Sequence, residues 1–186
     1  TQLARFFSTN PLPILNRTLR DVAADLGLSS VEASRLFALS SMSGADALIN
    51  CSDDKAHWSF WRPVTAIQEA ANDGNPATSP QADWAPLFTS PPYPDHPSGY
   101  NCFTSAMMHT AETYFRGEKA TIELTSTAPL LTTPTRTYKR FTAVVKDTID
   151  ARIYMGIHFR TPDEQGAWLG KQVAAWVEKH YVEPVD

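Results

Sequence analysis

Residues 73–97 hold seven of the chain's fourteen prolines: Pro76, Pro80, Pro86, Pro91, Pro92, Pro94 and Pro97. Each fixes its own φ, lacks an amide donor and biases its predecessor away from helix, so neither a helix nor a central strand fits there. A loop this long inside a domain is usually functional or disordered. Trp84, Leu87, Phe88 and Tyr93 are its expected anchors. On either side the apolar spacing is helical. Leu12, Leu15, Leu19, Val22, Ala23 and Leu26 predict a helix from Pro11 that stops at Gly27. Ser29 and Glu32 then form a capping-box pattern opening a second helix, with Leu36, Leu39, Met42, Ala45, Leu48 and Ile49 as its apolar face to about Asn50.

Beyond the loop, Phe103, Ala106, Met107, Thr110, Ala111 and Tyr114 predict a third helix. Residues 116–137 read as a Thr/Pro-rich connection with a short strand at 121–124. Residues 138–154 are helical, and a last helix runs from about Pro162 to Tyr181 with Trp168, Leu169, Gln172, Val173, Trp176 and Val177 facing inward. Residues 1–10 show no period and read as an extended arm. The expected fold class is mostly α: a helical bundle with long Pro-rich loops, one domain over 1–186 carrying all its motifs.

A net charge of −4 argues against a general nucleic-acid binder, so any anion must meet locally concentrated cations. No apolar run approaches the roughly 20 residues of a membrane span, and the start does not resemble a secretory signal. A removed leader or a larger parent protein stays open.

Three stretches concentrate suitable chemistry. Lys55 and Arg62 lie seven apart, which on one helix would put them on one face, walled by Trp58, Phe60 and Trp61. Pro97-Ser98-Gly99 precedes the third helix and offers a hydroxyl and free N–H groups at the positive end of its dipole, or simply a good N-cap. Arg152 and His158 combine a planar cation suited to tetrahedral oxyanions with a nucleophilic or ligating imidazole. Six residues of regular helix would turn these two roughly 240° apart, and Gly156 offers a break that brings them together. Each stretch also has a plainer reading as solvated or capping residues. His57, His109 and His180 are assigned to packing or solvent.

The order Lys-x6-Arg-Pro, Pro-Ser-Gly, Arg-x5-His resembles the three-part signature of the type 2 phosphatidic acid phosphatase and vanadium-dependent haloperoxidase superfamily. The words KAHWSFWRPVTAI (55–67), PPYPDHPSGY (91–100) and RIYMGIHFRTPDEQGAWLG (152–170) look like its haloperoxidase-type bacterial branch. The resemblance covers roughly residues 30–180. It implies that Lys55, Arg62 and Arg152, with the Ser98 hydroxyl and the Gly99 N–H, hold phosphate or vanadate. It implies that His158 is the nucleophile of a phosphatase or the axial ligand of vanadate in a haloperoxidase. The partners it implies are small molecules, a phosphate ester or halide and peroxide. Such relatives are commonly longer, so a larger parent, an additional chain or a homo-oligomer stays open. A secreted or periplasmic location is slightly favoured.

Three positions depart from the family pattern. The acid/base histidine after Pro-Ser-Gly is Tyr100, a poorer proton shuttle at neutral pH. His96 stands four residues earlier, where an aromatic is usual, so His96 is expected to reach the oxyanion instead. The orienting acid four residues after the nucleophile is Pro162, leaving Asp163 or a backbone carbonyl for that role. Ala151 replaces a serine. The alternative to an enzyme is therefore an oxyanion-binding relative with little or no turnover. If the motifs converge, Cys51 and Cys102 approach one another, and a disulfide or two buried thiols are both open.

Overall fold

The computed structural model describes residues 1–116 and 120–182. Positions 117–119 of the expected connection lie outside the described residues. Helices α1 (Gln2–Phe6), α2 (Pro11–Asp25) and α3 (Ser30–Trp58) precede a short α4 (Pro63–Gln68) and a single 3-10 turn at Ala70–Asn72. The Pro-rich loop leads into α5 (Gly99–Tyr114). Strands β1 (Ile122–Thr125) and β2 (Thr135–Tyr138) pair antiparallel, with Ile122 opposite Tyr138. Helices α6 (Phe141–Tyr154) and α7 (Arg160–His180) complete the chain. The fold is a mostly helical bundle centred on α5, which packs against α3, α6 and α7.

Local chemistry accounts for most boundaries. Asn10 caps α2 by accepting the Leu12 amide, and Pro11 sits at the first helical position. The Ser29–Glu32 capping box forms in both directions. Helix α3 does not stop near Asn50; it runs to Trp58 and ends where Ser59 turns left-handed at φ 44°. Lys55 and Arg62 are therefore not on one helical face. Lys55 lies on the last turn of α3, while Arg62 caps α4 after an extended turn.

Residues 2–6 are helical rather than extended, because Phe6 and Phe7 are both buried in the main core with Ala4, Leu15, Leu19 and Val144. In the Pro-rich loop, Trp84 and Phe88 are partly buried, Leu87 is exposed, and Tyr93 is exposed but meets Lys55 and Arg62 through its ring. The faces of two helices also differ from the apolar pattern. On α3, Leu36 and Leu39 are buried, but Ala45, Leu48 and Ile49 are exposed and Ser40, Ser43, Gly44, Ala47 and Cys51 turn inward. On α7, Trp168 and Trp176 are exposed, and the packed face is Pro162, Asp163, Gly166, Gly170, Ala174 and Val177.

Close approach explains the α7 face. A Cβ on Gly166 would stand 2.5 Å from the Ser98 carbonyl oxygen, and one on Gly170 would press into the Cys102 carbonyl oxygen. Both obstacles are backbone, so they cannot rotate aside. The α5–α7 seam thus lets the start of α7 lie against the start of α5, where Ser98 N–H donates to the Pro162 carbonyl at 2.9 Å. Gly170→Ala is expected to cost about 1–3 kcal/mol by overpacking that seam. Urea denaturation of the variant beside the parent chain measures this, and an unchanged midpoint would contradict the packing described.

Candidate oxyanion site

The Pro-rich loop folds back so that its carbonyls receive the cations of motif one. Lys55 Nζ donates to the Pro94 and Asp95 carbonyls at 2.7 and 3.0 Å. Arg62 donates through Nε to the Tyr93 carbonyl at 2.8 Å and through Nη1 to the Ile157 carbonyl at 2.7 Å. Both cations also lie about the Tyr93 ring, at 5.3 and 5.0 Å from its centroid. Tyr93 thus serves the site while remaining exposed.

His158 follows α6, where Gly156 at φ 76° lets the chain reverse. A Cβ on Gly156 would stand 3.2 Å from the Pro86 Cα, so the reversal is seated on the Pro-rich loop. That turn returns His158 toward Arg152, as the Arg-x5-His spacing requires. His158 is buried, with Nδ1 in close contact with Asp95 Oδ1. Asp95 Oδ2 accepts the Phe159 amide at 3.2 Å, and Arg62 Nη1 approaches Asp95 Oδ1 at 3.8 Å. The opposite ring nitrogen, Nε2, lies 3.5 Å from Arg62 Nη1. An acceptor on one side and a donor on the other define the neutral tautomer: Nδ1–H donates to Asp95, and Nε2, facing the Arg62 guanidinium, carries the lone pair. Burial pushes the imidazole down to about 4; the Asp95 hydrogen bond opposes this, and Arg152 and Arg62 reinforce it.

Asp95 is the residue the sequence reading did not assign. The carboxylate orienting His158 is expected at Asp163, but Asp163 accepts the Asn101 side-chain amide at 2.7 Å, and Thr148 in turn donates to Asn101 Oδ1 at 2.7 Å. Asp163 is fully buried, and desolvation raises its carboxyl to about 7 although Ser98 and Asn101 pull it down. Ser98 is buried too, with its hydroxyl 3.4 Å from the Asn101 amide nitrogen. His96 is placed elsewhere. It lines an apolar recess with Trp58, Phe60, Phe159, Thr161 and Pro162, its ring edge-on to Trp58 at 6.1 Å. It lines that recess and is not among the residues lining the cavity beside His158, into which it was expected to reach.

That cavity, about 700 Å³, is walled by Lys55, Gly99, Tyr100, Arg152 and His158, with Cys51, Phe103 and the start of α2 closing its sides. Arg152 is 8% exposed and lies over the Tyr100 ring at 4.6 Å. Its Nε is buried without a partner, and its Nη1 donates to the Met155 sulfur at 3.7 Å. Among the described residues no carboxylate forms an ion pair with Arg152 or Lys55. Burial lowers the basicity of both, as expected of cations removed from water. An unpaired buried cation is costly, so the arrangement suits an anion supplied from outside. The donor set, guanidinium and ammonium groups beside one lone-pair imidazole nitrogen, fits vanadate or phosphate.

Comparison with known proteins identifies the family and the fold. A family model described as the VCPO second helical-bundle domain matches residues 35–186. The chain belongs to that family. A vanadium chloroperoxidase from Curvularia inaequalis is 27% identical over 107 residues, which span 53% of this chain and 17% of that protein. A bacterial vanadium-dependent iodoperoxidase structure superposes with a TM-score of 0.80 at 24% identity, covering 96% of this chain and 43% of that one. A holo-type bacterial vanadium-dependent chloroperoxidase gives 0.61 at 18% identity, covering 76% and 34%. These structural likenesses establish the shared fold, and the chain spans less than half the length of each relative. Among the described residues no helix is long and apolar enough to cross a membrane.

Two measurements check the electrostatics. Histidine-ring NMR is expected to show His158 titrating near pH 4, as the Nδ1–H tautomer above it; a midpoint near 6.5 would contradict the burial. For Asp163 the folded value is raised, so its contribution to stability is full below about 4 and is lost as pH rises through 7. Asp163→Asn removes that loss. The variant is expected to gain stability over the parent by up to about 4 kcal/mol between pH 4 and 7. Denaturant midpoints across that range test it, and a pH-independent difference would refute it.

Proposed function

We propose that this chain binds vanadate, and phosphate in the same place, among Lys55, Arg62, Arg152 and His158, and that it works as a haloperoxidase-like enzyme. The observation carrying this is the buried Arg152, which among the described residues forms no ion pair with a carboxylate and lines one cavity with the neutral His158. When bound, vanadate supplies the electrophilic centre at which peroxide becomes able to oxidise halide. The chain's own residues do the rest. Arg152 and Lys55 balance the anion's charge; Arg62, held by three carbonyls and near Asp95, reinforces the positive field. Asp95 keeps the His158 lone pair aimed outward by holding the proton on Nδ1. The Gly99 N–H stands at the positive end of α5.

Proton transfer is the weak step in this reading. Burial raises the Tyr100 hydroxyl above its ordinary value despite Arg152 beneath its ring, so it holds its proton at neutral pH. Turnover is therefore slow. The same observation favours the second reading, an oxyanion-binding relative without catalysis. Phosphomonoester hydrolysis through a His158 nucleophile uses the same cradle and meets the same proton-transfer deficit.

The reading is tested by vanadate binding together with iodide oxidation by peroxide, assayed beside p-nitrophenyl phosphate hydrolysis. Arg152→Ala is expected to weaken vanadate binding about 10- to 100-fold, the loss of one charge-assisted contact. Tyr100→His is expected to raise turnover by about 10²–10⁴ by restoring a shuttle of suitable pKa. Vanadate binding without turnover in either form would establish the second reading. Absence of binding would overturn both.

A further inference from the structure

The two cysteines meet beside the cradle. Cys51, on α3 one turn before Lys55, and Cys102, on α5 three residues after Gly99, pack into one small buried cluster with Ala47 and Ala106. Both are free thiols, and each shifts the proton affinity of the other. They are not equivalent. Cys51 lines the cavity that holds Lys55, Arg152 and His158, whereas Cys102 lies behind it. The Cys51 thiol also donates to the Pro97 carbonyl at 3.4 Å, within the loop that presents Ser98 and Gly99.

We infer that Cys51 and Cys102 form a redox-active dithiol built into the wall of the oxyanion cavity, which a small neutral peroxide entering that cavity oxidises to an intrachain disulfide. Cys51 is the sulfur that meets the oxidant, because it alone of the two borders the cavity. Its hydrogen bond from Cys102 and the nearby Lys55 ammonium favour its thiolate against burial, while Cys102 is held protonated by the same contact. The Cys51 sulfur attacks one peroxide oxygen, the O–O bond breaks, and the departing hydroxide takes the Cys51 proton to leave as water. Cys102 then attacks the Cys51 sulfenic acid; the S–S bond forms, the S–O bond breaks, and the Cys102 proton leaves with that oxygen as a second water. Two thiols lose two electrons and one peroxide becomes two waters.

The consequence reaches the cradle through geometry. Oxidation consumes the S–H that holds Pro97 and ties α3 to α5 between Lys55 and Gly99, so the cation and the loop can no longer shift independently. The inference needs added hydrogen peroxide only, not vanadate or turnover, so it stands or falls apart from the proposed function.

The experiment treats the whole chain with stoichiometric hydrogen peroxide under native conditions, followed by non-reducing peptide mapping and intact mass. The expected result is loss of two hydrogens, a Cys51–Cys102 linked peptide, and full reversal by dithiothreitol. Cys102→Ser, which cannot close the bond, is expected to leave Cys51 as a sulfenic acid trapped by dimedone. Thiols that survive peroxide, separate over-oxidation without a linked peptide, or links only between chains would overturn the inference. A dimedone adduct missing from Cys51 in Cys102→Ser would overturn its assignment as the peroxide-facing thiol.

Discussion

Everything at this site depends on the cost of keeping arginine away from water without an acid to pair with. Arg152 is buried with its Nε unpartnered, and Lys55 is held by the Pro94 and Asp95 carbonyls and the Tyr93 ring. A protein relieves such a cost by losing the charge, by pairing it internally or by importing a partner. Guanidinium does not release its proton in the working pH range, and Asp95 is engaged with His158, Phe159 and Arg62. An oxyanion entering the cavity that Arg152 and Lys55 line is the partner we propose.

The bundle makes that cost bearable by fixing its parts to one another. Gly166 and Gly170 allow α7 to lie on α5 at backbone contact, which brings the Pro162 carbonyl onto the Ser98 amide and Asp163 onto Asn101. The Thr148–Asn101–Asp163 chain then links α6, α5 and α7 beneath the cavity. On the other side the Pro-rich loop, poor in amide donors, contributes carbonyls instead, and these receive Lys55 and Arg62. A loop that prolines keep from becoming helix or strand is well suited to that task.

Much of this was readable from residue order, and the failures have physical causes. The helix count around the loop follows from periodicity, and the meeting of Lys55, Gly99, Arg152 and His158 from the family resemblance that the three motifs carry in their order. On α7 the apolar pattern holds for Leu169, Val173 and Val177, which pack inward, and fails for Trp168, Gln172 and Trp176, because the closest contact is made by glycines that have no side chain to show. The continuation of α3 past Asn50 was missed because Asp53, Asp54 and Lys55 look like a boundary, and the stop at Ser59 uses a left-handed residue that is not glycine. Asp95 escaped notice because its role exists only once the loop folds back. Its neighbour His96 drew attention as an imidazole but turns into the aromatic recess beside Trp58.

The most direct test is a crystal of the chain soaked in orthovanadate and measured at the vanadium absorption edge. The account predicts one strong anomalous peak in the cavity, within bonding distance of His158 Nε2 and contacted by Arg152 and Lys55. A map with no peak there, or with vanadium only on the outer surface while Arg152 still lies over Tyr100, would contradict it.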